Sequence, residues 1–286
     1  MIDGGNEVIS PTSEECNLVL EDSLKKFEGE GFDQIFHLAA WTQAGDFCLL
    51  HPGEQWIINQ KINTNVLSWW QKKQPQAKLI FMGTSCAYSP EYDLVEENYM
   101  SGEPIDSLYT YAMTKRMMYQ GARAMQKQFG LDWLCAVPST LYGPGYHSDG
   151  RQMHFIFDLI RKILRGKQFG EPVVLWGDGY QRRELVYLDD FIKTLINVNT
   201  NNKNILINIG AGKDYSIREF ASIICDSVGY DQEMIQYDTT KYVGAKTKKL
   251  SVERLISIYP DYIERQIKLN EGIKSVIEWF KKTNAY

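Results

Sequence analysis

The chain has no apolar run approaching the ~18 residues a membrane-crossing helix needs, and its start lacks the charged-then-apolar order of a secretory signal. It has no basic run. Its 31 Lys and Arg against 36 Asp and Glu give a net charge of −5, a balance that argues against a nucleic-acid partner. Cysteine is sparse: five residues, an odd number without regular spacing, exclude a disulfide framework and imply reduced thiols in a cytoplasmic protein. Only four histidines occur, at positions 37, 51, 147 and 154, and their spacing suggests no metal site. Repeats and low-complexity linkers are absent. The Asn-rich stretch 197–204 reads as a surface loop.

What is present is a long chain with a large apolar fraction. With 286 residues and 44% hydrophobic content, it can bury a sizeable core in one large or two smaller domains. Apolar runs and amphipathic segments alternate. Short strands are expected at 6–10, 33–38, 78–82, 133–137, about 173–176 and 205–209. Helices are expected at 52–73, 108–128, about 155–166, 215–228 and 269–282, with a loop and short helix over 18–27. Strands alternating with helices predict an α/β fold with a parallel sheet and crossover connections.

The informative stretch is 78–115. Lys78-Leu79-Ile80-Phe81-Met82 is an apolar strand ending at Gly83, followed by the polar and reactive Thr84, Ser85, Cys86 and Tyr88. About twenty loop residues later, Tyr111 and Lys115 stand four apart on a helix and share one face. A hydroxyl at a strand end beside such a face can move a proton on and off an alcohol or sugar oxygen. Lys115 is expected to lower the Tyr111 pKa from about 10. A Tyr-x-x-x-Lys pattern alone is weak in a chain with 17 tyrosines. Its second copy, Tyr237 and Lys241, reads as a solvated pair.

In this order, Gly83-Thr84-Ser85-Cys86-Ala87-Tyr88-Ser89-Pro90 and the Tyr111–Lys115 helix resemble the extended short-chain dehydrogenase/reductases, the NAD-dependent epimerase/dehydratase family. They are closest to its GDP-L-fucose synthase branch, 3,5-epimerase/4-reductases that read G-S-S-C-I-Y-P at this point. The likeness runs from about Glu7 to the C-terminus. His37-Leu38-Ala39-Ala40 is similar to the family's H-L-A-A at a strand end facing the cofactor, and Asn59 and Asn65 to its helix asparagines. Val137-Pro138-Ser139-Thr140-Leu141-Tyr142-Gly143-Pro144 resembles P-T-N-L-Y-G-P, with Thr140 in place of the asparagine amide. By itself, a histidine on an apolar helix is more often a core or capping residue, but His154 falls on the family's catalytic histidine. Arg183 heads a segment resembling R-E-F-L-H-V-D-D, and its guanidinium suits a diphosphate. In that segment Arg182 reads as a solvated neighbour, and Asp189 and Asp190 as helix-start charges.

The resemblance implies a Rossmann-like sheet over 1–145, with 184–209 returning to it, and a smaller substrate-binding domain from 146–183 and 210–286. It also implies that 7–10 is the family's second strand. The first β–α unit, with its Gly-x-x-Gly-x-x-Gly turn for a pyrophosphate, is then missing; Gly4-Gly5 is no such motif. Implied cofactor contacts are Ala39, Ala40, Lys115 and Pro138, for NADP(H) or NAD(H). Implied substrate contacts are Ser85, Thr140 and Arg183. Thr84, Tyr111 and Lys115 would handle the C4 oxygen. Cys86 and His154 would supply the opposed base and acid that inversion beside a ketone requires.

Three functions are therefore weighed. The first is a nucleotide-sugar epimerase/reductase; the second is a redox-free epimerase, whose chemistry needs no hydride. The third is a nucleotide-sugar-binding remnant paired with a full-length relative. Lys248 and Lys249 are phosphate contacts or plain surface charge. A homodimer through the helices at 54–73 and 108–128 is expected.

Overall fold

The computed structural model describes residues 5–241, 246–284 and 286. After a 3-10 turn at Glu21–Phe27 come β1 (Gln34–His37), α1 (Phe47–Leu50), α2 (Pro52–Lys73), β2 (Lys78–Met82), α3 (Tyr109–Phe129), β3 (Trp133–Pro138) and β4 (Thr140–Tyr142). The second half holds α4 (Phe155–Phe169), β5 (Val174–Trp176), β6 (Arg182–Arg183), β7 (Leu185–Tyr187), α5 (Leu188–Asn201), β8 (Ile205–Ile209), β9 (Tyr215–Ser216) and α6 (Ile217–Val228). It closes with β10 (Gln236–Asp238), β11 (Thr247–Lys248), α7 (Glu253–Ile258) and α8 (Leu269–Thr283).

The main sheet is parallel, in the order β1-β2-β3-β8. Helical segments separate its consecutive strands, as parallel pairing demands. The result is the Rossmann-like α/β sheet expected from the sequence. Central strands read as continuous apolar runs because both faces are covered. Leu79, Ile80, Leu134 and Ile207 have no exposed surface, and each such side chain contributes about 1.5–3 kcal/mol. One face packs on α2 and α3 through Val66, Trp70, Leu79, Phe81 and Met118. The other packs on α5 and α7 through Ile80, Leu134, Leu195, Val198 and Leu255. A third apolar cluster joins α4, α6 and α8 around Ile160, Phe220, Ile224 and Phe280.

Local chemistry sets the ends of the helices. Pro52 opens α2, where its missing N–H costs nothing. Gly130 ends α3 at φ +72°, the left-handed cap that favours glycine. Ser216 and Glu219 form a reciprocal capping box on α6. That cap begins the helix at Ile217; Tyr215 and Ser216 instead pair antiparallel with β6.

Four sequence expectations change here. Residues 6–10 form no strand: they are exposed and lack a ladder partner among the described residues. The stretch 197–204 is helical as far as Asn201, because Val198 and Asn199 are buried and hold the last turn of α5 on the sheet. Arg182 is not a free neighbour: it pairs with Asp214 at 3.0 Å and Glu219 at 3.1 Å, tying β6 to the start of α6. Asp189 and Asp190 do stand in the first turn of α5 as expected, but neither caps it; the Asp190 carboxylate accepts the Ile267 N–H at 2.7 Å.

Candidate functional site

The site begins where β2 runs out. Gly83 extends the ladder by donating to the Ala136 carbonyl at 2.8 Å. A Cβ there would stand 2.8 Å from Val137 and 2.9 Å from the Tyr99 hydroxyl, so only glycine passes. Thr84 then caps a 3-10 turn over Ser85–Ala87, its hydroxyl accepting the Cys86 N–H at 3.2 Å. The buried Arg116 of α3 clamps this turn, donating to the Ala87 carbonyl at 2.9 and 2.6 Å and to the Ser101 and Gly102 carbonyls. Because Arg116 follows Lys115, this clamp fixes the turn against the Tyr111–Lys115 face.

Thr84 is the hinge of the site: its hydroxyl accepts the Cys86 N–H at 3.2 Å, and it acts to lower the pKa of both the Tyr111 phenol and the Cys86 thiol. The Tyr111 phenol does not move as expected. Burial pushes its pKa well up, the Cys86 charge adds to the rise, and the Thr84 hydrogen bond offsets only part of it. Lys115 stands over the Tyr111 ring, 5.9 Å from its centroid. Burial pulls its own ammonium down to about 8. The expected lowering of Tyr111 by Lys115 is therefore corrected: desolvation wins at this separation.

A second set of groups lies on the other side of Thr84. Ser85, Thr140, Arg183, Glu184 and Lys248 line one narrow pit, so the structure brings together all three residues expected to contact substrate. Lys248 sets its ammonium 3.1 Å from the Cys86 sulfur; it is not plain surface charge. Burial raises the Cys86 pKa, but the Lys248 charge and the hydrogen bonds from Thr84 and Lys248 outweigh it, leaving the thiol below its ordinary value. Cys86 is half-buried, whereas Cys16, Cys48, Cys135 and Cys225 are buried.

His154 takes the N-cap position of α4, its backbone N–H donating to the Tyr146 hydroxyl at 3.3 Å. The residue reaches solvent. Its packed ring surroundings, then the charges of Lys248 and His147, hold the imidazole below 6.5. No hydrogen bond joins its ring to Cys86 or Tyr111 among the described residues; Lys248 acts on both His154 and Cys86. Arg183 is half-buried, and desolvation lowers its guanidinium pKa.

On the β1 side, His37 is buried and its Nε2 meets Asn63 Oδ1 at 3.1 Å. Burial first, then Lys115, pushes this histidine down to about 4, against the Asn63 hydrogen bond. Asn63 also donates to the Thr114 carbonyl at 3.3 Å, linking the end of β1 to the turn of α3 that carries Tyr111 and Lys115. Asn59 holds both backbone groups of Trp41, at 2.8 and 3.0 Å, and Asn65 holds the Leu18 carbonyl. Ala39 and Ala40 follow β1, and Pro138 ends β3.

Sequence reasoning missed Asn63, Arg116 and Glu184. The four-residue spacing of Asn59 and Asn63 on one helix was the available signal for Asn63. Glu184 is 2% exposed; it accepts the Gly212 N–H at 2.9 Å and the Leu250 N–H at 3.0 Å. The second Tyr-x-x-x-Lys is not a solvated pair: Tyr237 lies in β10 beneath the Arg218 guanidinium, 3.9 Å from its ring centroid.

For a nicotinamide cofactor, the residues at the end of β2 and on α3 fit the reactive end. Lys115 is a half-buried ammonium with no carboxylate at ion-pair distance among the described residues, which suits a ribose hydroxyl. No Gly-x-x-Gly-x-x-Gly turn for the pyrophosphate occurs among the described residues.

Comparison with known proteins agrees with this fold. The chain is 28% identical over 291 residues to GDP-L-fucose synthase of Escherichia coli (strain K12), covering 97% of this chain and 89% of that protein. It is 34% identical over 187 residues to GDP-L-fucose synthase of Sinorhizobium fredii, covering 63% and 59%. The crystal structure of a GDP-L-fucose synthetase from Naegleria fowleri superimposes with a TM-score of 0.84 at 22% identity, covering 96% of this chain and 85% of that one. The profile of the NAD dependent epimerase/dehydratase family matches residues 4–210. With that match spanning most of the chain, and with strand, turn and Tyr–Lys helix placed as above, the chain belongs to the NAD dependent epimerase/dehydratase family.

Proposed function

We propose that the chain is a nucleotide-sugar epimerase/reductase acting on an NDP-4-keto-6-deoxy sugar, in the manner its relatives' names indicate. The observation that carries this reading is the Cys86 sulfur set 3.1 Å from the Lys248 ammonium, on the turn whose Thr84 hydroxyl accepts the Cys86 N–H at 3.2 Å and also acts on the Tyr111 phenol. A 4-keto oxygen held by Thr84 and Tyr111 puts the neighbouring C–H bonds within the thiol's neighbourhood. Cys86 takes the proton from carbon, and the resulting enolate oxygen is stabilised by the two hydroxyl donors. His154 returns a proton to the opposite face. In the reduction, Tyr111 gives its proton to the C4 oxygen, with Lys115 near its ring. Ser85, Thr140 and Arg183 hold the sugar and its diphosphate.

Lys115, Ala39, Ala40 and Pro138 are the residues that would hold the nicotinamide end of NADPH or NADH. A bound cofactor of this kind supplies the hydride for C4. In this reading the main sheet with its helices carries the cofactor side, and the cluster of α4, α6 and α8 carries the sugar side. The protein works in the cytoplasm as a homodimer through α2 and α3, where Trp56, Ile57 and Phe129 are exposed apolar side chains.

A redox-free epimerase is the second reading. It needs only the Cys86 and His154 groups of the site, since inversion beside a ketone uses no hydride. One experiment separates the two: incubate the chain in deuterium oxide with GDP-4-keto-6-deoxymannose and NADPH. NADPH oxidation together with deuterium beside C4 supports the reductase. Deuterium without oxidation supports the redox-free epimerase. Neither leaves the third reading, a nucleotide-sugar-binding protein paired with a full-length relative.

A further inference from the structure

We propose that Lys248 is a positioning residue that holds Cys86 as a thiolate, ready to act as a base at neutral pH. The proposal rests on the function above only for what the thiolate does next; the Lys248–Cys86 pair stands on its own geometry. The ammonium lies 3.1 Å from the sulfur, within hydrogen-bonding distance. A free thiol with pKa near 8.5 is mostly protonated at pH 7, and a cation at that distance is a principal means of ionising it. The thiol proton passes to solvent. The thiolate later takes a proton from the carbon beside the ketone, and that C–H electron pair moves to the enolate.

Lys248 is aimed rather than free to wander. It lies in β11, paired in register with Arg183 of β6. It is half-buried, while Thr247 and Lys249 on either side are exposed. On one side of it, the Arg182 N–H donates to the Lys246 carbonyl at 2.7 Å. On the other, the Leu250 N–H is held by buried Glu184, and the Ser251 N–H by the Leu94 carbonyl. Tyr111 approaches the thiol through Thr84 from α3, and Arg183 and Glu184 share the pit with Lys248. Lys248 is the cation in contact with the sulfur. Its charge also lowers the pKa of His154, so one ammonium biases both the expected base and the expected acid. The Cys86 pKa lies below its ordinary value in spite of burial, in agreement with this role.

The test is the pH dependence of iodoacetamide alkylation at Cys86, followed by peptide mass spectrometry in the full chain. The other four cysteines are buried. Lys248→Met should raise the midpoint by about one pH unit or more, and slow alkylation at pH 7 about tenfold. Lys248→Arg should stay within about half a unit of the parent, since it keeps the charge. A Lys248→Met profile that superimposes on the parent would overturn the proposal. So would equal shifts in both variants, which would indicate lost packing instead of lost charge. Solvent-deuterium exchange into the keto sugar adds a second readout, its acidic limb moving with the alkylation midpoint. If the parent shows no exchange, the epimerase reading fails, while the alkylation series still decides the role of Lys248.

Discussion

Lys115 stands 5.9 Å from the centre of the Tyr111 ring, whereas Lys248 reaches the Cys86 sulfur at 3.1 Å. Each lysine neighbours a weak acid in crowded surroundings, yet the acids shift in opposite directions: the phenol up, the thiol down. Burial acts on both and disfavours the charged form. Only the direct ammonium–sulfur contact, helped by Thr84, overcomes it. The two halves of the site are therefore poised for different tasks. In the proposed reaction the phenol half donates a hydrogen bond to an oxygen, and the thiol half takes a proton from carbon.

The sharpest way to break this division is to remove the thiolate. Cys86→Ser should cut deuterium exchange into a 4-keto-6-deoxy nucleotide sugar by about 10²–10⁴-fold, the usual worth of a positioned base. NMR of the recovered sugar reads this out, and undiminished exchange would assign the base elsewhere. Tyr111→Phe should cost about 10²–10³-fold in turnover by deleting an oxyanion donor, while leaving the Cys86 alkylation midpoint near the parent's. A midpoint that moved by a full unit would show that the halves are not separable.

Glu184 sharpens the comparison through stability. Burial pushes it up to about 7 against the opposing backbone hydrogen bonds, above an unfolded value near 4.3. Between those values the folded chain binds more protons than the unfolded one. Stability therefore falls as pH rises from about 4 to about 7, by about 4 kcal/mol, and is level beyond. Glu184→Gln should flatten that slope in urea titrations at pH 5 and pH 8. An unchanged slope would place the carboxylate's pKa near its ordinary value. Smaller again is Asn63→Ala, which unpairs the buried His37 ring and the Thr114 carbonyl for about 2 kcal/mol. Thermal unfolding would read this loss, and an unchanged midpoint would mean that the link from β1 to α3 is not structural.

The sheet was legible in the sequence because its strands are apolar on both faces and end in glycine or small residues. Gln34–His37, Lys78–Met82, Trp133–Pro138 and Ile205–Ile209 lie where the pattern placed them. Helix α6 was visible as an amphipathic segment, and α2, α3 and α8 as helical runs. Residues 6–10 misled because a short apolar pattern is a strand only when a neighbour supplies the ladder. Thr84, Cys86 and the Tyr111–Lys115 face were visible through order along the chain. The contact of Lys248 with Cys86 was not, since it spans 162 residues of separation and carries no motif. The Tyr111 shift was likewise hidden: its sign depends on burial and on a distance that spacing along a helix does not give.

Deuterium exchange by the wild-type chain, before and after Cys86 is capped with iodoacetamide, tests the central claim most directly. Exchange beside C4 that is present before capping and lost after it, with the fold intact by circular dichroism, is the result this account requires. Exchange that persists in the capped protein would contradict it, because the proton would then leave carbon without the Cys86 thiolate.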